Sequence, residues 1–288
     1  ASPGMPPEEL AGATRTAVGL MGGRDTELLL VDLAQRQLVP LDQRDQVEGG
    51  ASSDGHGGRD GAGSSAQHPV DGPGAGEAYR TERQVAESVG AATRLWVPIL
   101  DSAERVGVLG TTVDALAPDD EARWALLAGL LGELVVTKSR YGDRVVTTRR
   151  TAPVRVAAEV RWALLPPLTF SSPDVIVTGI LEPAHRVAGD TFDYSVTRDA
   201  VTVALFDAMG HGLAAGRMAD LVVGVHRNRR RAGASLADGV AALDRAVAAE
   251  FGESQFVTAQ VGRLDLASGH LSLVNAGHPD AVVFHPDG

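Results

Sequence analysis

The sequence contains no cysteine, few aromatic residues and no long apolar run. The lack of cysteine excludes disulfides, thiol catalysis and cysteine-ligated zinc, and it fits a reducing, cytoplasmic compartment. Aromatic residues make up only 4% of the chain, so we expect cores built from Val, Leu and Ala. No apolar run reaches the roughly 18 residues of a membrane span, and no signal peptide is evident. No membrane partner is therefore expected.

Positive charge is also scarce, because the chain has 26 Lys and Arg residues but 37 Asp and Glu residues. The net charge of −11 argues against a non-specific nucleic-acid binder. What remains is an ordinary composition with 44% hydrophobic residues, in a chain of 288 residues. Such a length suits two soluble domains.

The first half of the chain predicts a small α+β domain over residues 1–140. Residues 26–41 and 93–113 each indicate two strands around a turn. Residues 49–76 are rich in Gly, Ser, Asp and Pro and indicate a flexible insertion. A short helix is expected over 76–88. A longer helix opens at Pro118, with acidic residues in its first turn. Its expected apolar stripe is made of leucines: Leu126, Leu127, Leu130, Leu131 and Leu134.

A linker helix is predicted within residues 141–168, with the domain boundary between about 141 and 153. Val156, Val160 and Leu164 fall on one face of this helix, and Pro166 with the next proline ends it.

The remaining residues, 169–288, predict a second α+β domain with mostly antiparallel strands. Strands are expected at DVIVTGIL (174–181), TFDYSV (191–196), AVTVALFD (200–207) and AVVFH (281–285), helices at 211–231 and 235–251, and a hairpin at 255–278 that turns at Ser268 and Gly269.

Three aspartates in this second domain are candidates for chemistry. Asp190 and Asp193 lie in VAGDTFDY, and Asp207 ends the next predicted strand. If the two strands pair in antiparallel fashion, Asp190 and Asp207 meet at one end of a sheet, where their like charges repel. Divalent cations offset that repulsion, and oxygen-only ligands favour Mg²⁺ or Mn²⁺. Gly189 and Gly210 would let the backbone approach an ion or a phosphate closely.

A simpler interpretation of these acids stays open at this point. An Asp that ends a strand before Gly is often only a turn residue or a helix N-cap. Asp193 fits a turn or an outer position better than a metal ligand.

Four motifs in register then indicate a family. VAGDTFDY, LFDAMGHGLAA, QFVTA and VNAGH follow one another with familiar separations, and AAEVRWALLPPL precedes them. Residues 153–285 thus resemble the stage II sporulation E-type serine/threonine phosphatases, which are metal-dependent bacterial protein phosphatases. The resemblance implies an αββα sandwich with two Mn²⁺ or Mg²⁺ ions at one end. It also implies hydrolysis of phosphoserine or phosphothreonine on a protein.

The resemblance also implies roles for individual residues. Asp207 matches the carboxylate that bridges the two metals, Ala208 would offer its main-chain carbonyl, and Asp190 would bind a metal directly or through water. His211 either donates a proton to the leaving serine oxygen or positions its loop. Arg186 either binds the substrate phosphate or is an exposed arginine at a strand edge.

Three further features of the sequence bear on this resemblance. Asn275 and His278 belong to the NAGH signature, where we expect loop packing for both. DGHGG at 54–58 matches a related eukaryotic phosphatase motif, but it sits in the Gly/Ser insertion with no strand before it and no helix after it. A motif counts only in its structural context, so we interpret this one as chance composition.

The sequence departs from the family pattern in two ways. Ala188 stands where the family has the first glycine of GGD. The family places two further metal aspartates after NAGH, one of them in a TDG-like motif, and the sequence reaches Gly288 before either. We therefore expect a phosphatase domain that is incomplete at its C-terminus.

The first half resembles a GAF sensory domain, through TELLLVDL, GEAYRTERQV, RLWVPIL and RVGVLGTTV. The resemblance implies a sheet with helices and a small-ligand pocket, and a homodimer is an alternative role. Together the two halves predict a sensor-controlled phosphatase whose substrate is a phosphorylated anti-sigma-factor antagonist. The alternative is a catalytically degenerate scaffold that binds a phosphoprotein or small ligand without hydrolysis.

Overall fold

A computed structural model describes residues 5–41, 67–102, 104–117, 119–182, 184–186 and 189–284. The chain divides into two compact units, Ala1–Ala152 and Pro153–Gly288. The predicted linker region contributes to both, with helix α4 at Asp143–Thr148 in the first unit and helix α5 at Val156–Leu164 in the second. In the described ranges, no helix is both long and apolar enough to cross a membrane.

The first unit is built on a six-stranded sheet with antiparallel pairing throughout. Its elements follow a short 3-10 helix at Pro7–Glu9 and are α1 (Leu10–Leu20), β1 (Arg24–Val31), β2 (Gln37–Pro40), β3 (His68–Pro69), α2 (Ala75–Thr81), β4 (Val85–Val89), β5 (Ala92–Asp101), β6 (Glu104–Val113), α3 (Asp120–Ser139) and α4. The strand order is β3-β2-β1-β6-β5-β4.

The four strands predicted at 26–41 and 93–113 are all present. The helix expected over 76–88 ends at Thr81, and strand β4 follows it. Most of the predicted insertion lies outside the described residues.

Alternation along β1 gives this sheet two apolar faces. Leu28 and Leu30 join the core that α1 and α3 cover, whereas Leu29 and Val31 join the core beneath α2. Tyr79 and Trp96 occupy much of the α2 side. The first unit therefore carries helices on both faces of an antiparallel sheet, which is an α+β arrangement.

Helix α3 buries a different face from the predicted leucine stripe. Leu126 and Leu130 are 68% and 55% exposed. The buried positions are Trp124, Ala128, Leu131, Gly132, Val135 and Lys138. A β-carbon on Gly132 would lie 2.2 Å from the Leu100 carbonyl oxygen, so only glycine allows this close approach to β5. Trp124 and Gly132 together set the rotation of the helix. The prediction was wrong for two of the five leucines, Leu126 and Leu130.

The second unit is also α+β and contains a four-stranded antiparallel sheet. Its elements are α5, β7 (Thr169–Ser171), β8 (Ile176–Thr178), β9 (Asp190–Val196), β10 (Ala200–Ala208), α6 (Gly212–Arg231), α7 (Leu236–Phe251), β11 (Val257–Asp265) and β12 (Leu271–Ala276). The sheet order is β12-β11-β10-β9, and β7 pairs with β8 separately. The strand predicted at 281–285 was wrong, since the described residues 281–284 are irregular and exposed.

Helices α6 and α7 cover one face of the four-stranded sheet. Ala204, Phe206 and Ala208 of β10 point into this core against Met218 and Val222 of α6. On the opposite face, four large apolar side chains are exposed: Val203, Leu205, Leu271 and Leu273. Within the described ranges, the helix layer and one sheet of the expected sandwich are thus present.

Helix α5 also turns a different face inward from the one predicted. Val156 and Val160 are exposed, whereas Ala158 and Arg161 are fully buried. The Arg161 guanidinium lies 2.8 Å from the Asp220 carboxylate of α6 and donates a hydrogen bond to the Gly216 carbonyl at 3.0 Å. The prediction failed because it followed the apolar residues alone, whereas the buried face contains Arg161, whose partner acid is supplied by another helix.

Candidate metal and phosphate site

The pairing of β9 and β10 sets Asp190 directly opposite Asp207. Directly opposed residues share a face of the sheet, so both carboxylates project from the face that the helices do not cover. The strand alternation explains this placement, because Phe206 and Ala208 are buried under α6 and α7 while Asp207 between them is exposed. The two acids that were expected to meet at one sheet end do meet there.

The electrostatics of this pair are unfavourable without a cation. Burial raises the pKa of the Asp190 carboxyl, and the charge of Asp207 and a hydrogen bond with its side chain raise it further. A nearby positive charge on His278 acts in the opposite direction on the same carboxyl. The pair is therefore a site where an added cation would be stabilised.

Gly189 brings the backbone of this site close together. The Ala208 amide donates a hydrogen bond to the Gly189 carbonyl at 3.3 Å. A β-carbon at Gly189 would lie 2.4 Å from the Ala208 carbonyl oxygen, which no ordinary side chain tolerates. Glycine is thus required at position 189, because only glycine lets the backbone come this close to the Ala208 carbonyl, which was predicted as a metal ligand. Ala188, the departure from the family pattern, lies outside the described residues.

The turn after Asp207 combines two left-handed glycines with one extended histidine. Gly210 and Gly212 have φ angles of +90° and +70°, which favour glycine at both positions. His211 between them is exposed and stands at the N-cap of α6, where its side chain makes no capping hydrogen bond. Its imidazole therefore remains beside the start of α6, at the end of the sheet where the carboxylates lie.

The loop after β12 brings to this site a histidine, His278, that the sequence analysis assigned to loop packing. Thr258 pairs with Asp207 across the strands, and its hydroxyl lies 2.8 Å from Nδ1 of His278. The His278 charge reaches Asp190, as noted above. Asn275 does hold the loop, since its side chain accepts from the His278 amide at 2.9 Å and donates to the His278 carbonyl at 2.8 Å. In the sequence, the NAGH motif was the one signal that could have predicted a position for His278 beside the site.

Two other predicted residues differ in their surroundings. Arg186 is an exposed turn residue, and its role stays a prediction.

Asp193 is not in a turn, because it lies within β9 and is only 2% exposed. The Arg227 side chain donates to one Asp193 oxygen at 2.8 and 3.0 Å, and Arg230 donates to the other at 2.6 Å. Asp193 is therefore the centre of a buried ion cluster beneath α6. The DGHGG segment at 54–58 lies outside the described residues.

The donor set at Asp190 and Asp207 fits Mg²⁺ or Mn²⁺ in kind. It offers two carboxylates and the Ala208 carbonyl, which are the hard oxygen ligands that these ions prefer. Among the residues described, however, no group of three or more His, Asp or Glu residues stands close enough to hold a metal ion. The carboxylate pair and the Ala208 carbonyl are thus candidate ligands, and their role in metal binding stays a prediction.

Comparison with known families bears directly on this unit. Residues 197–288 match the family described as Stage II sporulation protein E (SpoIIE). Over these residues the second unit is similar to the SpoIIE family. The matched segment includes Asp207, Ala208 and His211, so the family resemblance found in the motifs is confirmed there. SpoIIE domains generally use Mn²⁺ or Mg²⁺. The GAF-like resemblance of the first unit stays a prediction.

A solved structure also matches part of the chain. It is a crystal structure of the RsbU and RsbW domains of a protein from Mycobacterium tuberculosis, with 30% identity and a TM-score of 0.30. The match covers 32% of this chain and 26% of the other, so this chain spans about a quarter of the length of the chain it matches.

Proposed function

We propose that the second unit is a metal-dependent serine/threonine phosphatase. The observation that carries the proposal is the direct pairing of Asp190 with Asp207, because it concentrates negative charge next to a segment that matches the SpoIIE family. A structural role would not require two like-charged carboxylates side by side on an open sheet face. Bound divalent cations would supply the positive charge that stabilises a phosphoryl group during hydrolysis.

The residues of this chain would divide the work as follows. Asp190, Asp207 and the Ala208 carbonyl hold the cations, and Gly189 keeps that carbonyl accessible to them. Arg186 binds the substrate phosphate. His211 donates a proton to the leaving serine oxygen. His211 is exposed between two left-handed glycines, so its ring is open to solvent and to a substrate.

The proposed substrate is a phosphorylated anti-sigma-factor antagonist in the cytoplasm of a bacterium. The first unit acts as a GAF-like sensor that controls the phosphatase, with a small ligand or a second copy of the chain as its partner. The SpoIIE match supports a place in partner-switching signalling, and the substrate and the control are our extension of it.

One observation favours a second function. The described residues bring together only part of a metal centre. A scaffold that binds a phosphoprotein without hydrolysing it would need no complete centre.

Hydrolysis of p-nitrophenyl phosphate in the presence of Mn²⁺ tests the phosphatase proposal. We expect Asp207→Asn to reduce the Mn²⁺-dependent rate at least a hundredfold. Asp199→Asn is the matched control, because Asp199 is an equally exposed aspartate at the opposite end of β10, and its rate should equal that of the unaltered protein. Equal rates for both variants would refute the site assignment. No hydrolysis by any folded form, with the phosphorylated antagonist still bound, would support the scaffold instead.

A further inference from the structure

A second charged site lies at the far end of the same sheet. Between the end of α6, the start of α7 and strands β10 and β11 there is a cavity of about 230 Å³. Thr202 of β10 lines it, five residues before Asp207. At about 3.3 Å per strand residue, the cavity is roughly 16 Å from the carboxylate pair. It is therefore not part of the site proposed for catalysis.

The walls of this cavity are positively charged. Arg229 and Arg230 come from the last turns of α6, and Arg263 comes from β11. No Asp or Glu is among the lining residues. Asp193 is not among the lining residues, but it neutralises part of the charge because it accepts a hydrogen bond from Arg230. Asp265 lies near Arg263 on the same strand. A cluster of three guanidinium groups nevertheless remains in a chain whose net charge is −11.

Arg229, which lines this cavity, also carries an unsatisfied donor. Its Nε is buried, and within the described part of the chain it has no hydrogen-bond partner. A buried donor without a partner costs roughly 1–3 kcal/mol, so a ligand that accepts from it would be favoured. Basic residues at the end of a helix also suit the helix dipole. That role does not account for Arg263, which is supplied by the sheet, nor for the burial of the Arg229 Nε.

The size and polarity of the cavity select a class of ligand. Its volume lies below the roughly 300–1,000 Å³ typical of pockets for drug-sized molecules. Guanidinium groups bind planar or tetrahedral oxyanions through paired N–H donors. We propose that the cavity formed by Arg229, Arg230 and Arg263 binds a tetrahedral phosphoryl group, from inorganic phosphate or from a small phosphate ester.

Amide resonances report on this proposal at the site itself. The isotope-labelled protein is titrated with inorganic phosphate in EDTA, at constant ionic strength maintained with chloride, so that no metal can recruit phosphate to the carboxylate pair. We expect saturable shifts of the Gly233 and Ser235 amides, which line the cavity, and none at Gly210 and Gly212. A parallel titration with glycerol 3-phosphate distinguishes the two sources, since the tighter of the two ligands identifies which one the cavity prefers.

Charge-removing variants make the test specific. We expect Arg229→Gln and Arg263→Gln each to weaken phosphate binding about tenfold. Arg231→Gln is the matched control, because Arg231 is an exposed arginine at the same helix end that does not line the cavity, and it should bind like the unaltered protein. Arg263 is exposed on its strand, so its variant decides the matter if Arg229→Gln fails to fold. No saturable shift, shifts at the Gly210 turn, or equal weakening by all three variants would each refute the proposal.

Discussion

Asp190 and Asp193 are three residues apart on one strand, yet their surroundings are opposite. The odd spacing places them on different faces of the sheet. Asp193 is buried beneath α6 and is hydrogen-bonded by two arginines. Asp190 is exposed on the open face, and its direct neighbour is a second carboxylate, Asp207. The fold neutralises one acid completely and leaves the other pair with surplus charge.

This difference separates structural charge from functional charge. A buried carboxylate must be compensated, or the unit would not fold. An exposed pair of like charges carries a smaller penalty, which a protein can retain where a cation or a phosphate is to bind. The two like-charged carboxylates are thus better site candidates than the acid with the most contacts.

Substitution of Asp193 gives the largest expected effect on stability. Asp193→Asn leaves Arg227 and Arg230 partly buried and uncompensated, so we expect a loss of about 3 kcal/mol or more in the free energy of unfolding of the second unit. Urea denaturation measures it. Asp190→Asn, on the same strand, should change stability by less than about 0.5 kcal/mol. Similar losses for both variants would break the contrast between the two acids.

The close backbone approach at the carboxylate end is sensitive to one added methyl group. Gly189→Ala places a β-carbon 2.4 Å from the Ala208 carbonyl oxygen, and the backbone must shift. We expect a loss of about 1–3 kcal/mol in stability, together with reduced Mn²⁺-dependent hydrolysis. Gly224→Ala is the control, because its β-carbon meets nothing within 4 Å on α6, and helix propensity predicts a gain of about 1 kcal/mol there. Unchanged stability in Gly189→Ala would contradict the geometry described.

Acidification tests the buried cluster through its histidine. Burial lowers the pKa of His226 to about 4, while Asp193 acts to raise it and Arg230 and Arg227 act to lower it further. The folded state then binds fewer protons than the unfolded state between about pH 6.5 and 4, so stability falls as the pH falls through this window. The slope from this group approaches about 1.4 kcal/mol per pH unit.

His226→Gln removes this contribution. Its free energy of unfolding, measured by urea denaturation from pH 7 to pH 5, should decline less steeply than that of the unaltered protein. Parallel curves for the two proteins would show that His226 is not held neutral in the fold.

Removal of charge from the exposed pair gives the smallest expected effect, with the opposite sign. In EDTA, Asp207→Asn should raise stability by less than about 1 kcal/mol, because the pair is exposed and screened by solvent. The pKa of Asp190 is raised in part by Asp207, so it should move down toward its usual value in this variant. A ¹³C carboxyl titration measures that shift, and an unmoved Asp190 curve would exclude coupling between the two acids.

Much of the candidate site could be predicted from the sequence because its information is local. Short apolar strands joined by a tight turn placed Asp190 and Asp207 together, and the glycines around His211 marked the turn. The partners of Asp193 could not be predicted in this way, since Arg227 and Arg230 lie 34 and 37 residues further along the chain. The predictions of which faces of α3 and α5 are buried were wrong for a related reason. Leu126 and Val156 follow the right period, but the buried face is chosen by Gly132 and Arg161 through contacts with other elements.

The two glycines beside His211 have a stereochemical consequence. Positive φ angles at Gly210 and Gly212 are those of a D-amino acid, and nothing lies within 4 Å of a β-carbon built at either position. The strain that an L-residue would meet there arises from its handedness alone. Because D-residues favour positive φ angles, a semisynthetic protein with D-alanine at both positions should have fewer unfolded conformations to lose on folding into this turn, and would present His211 on a stiffer loop.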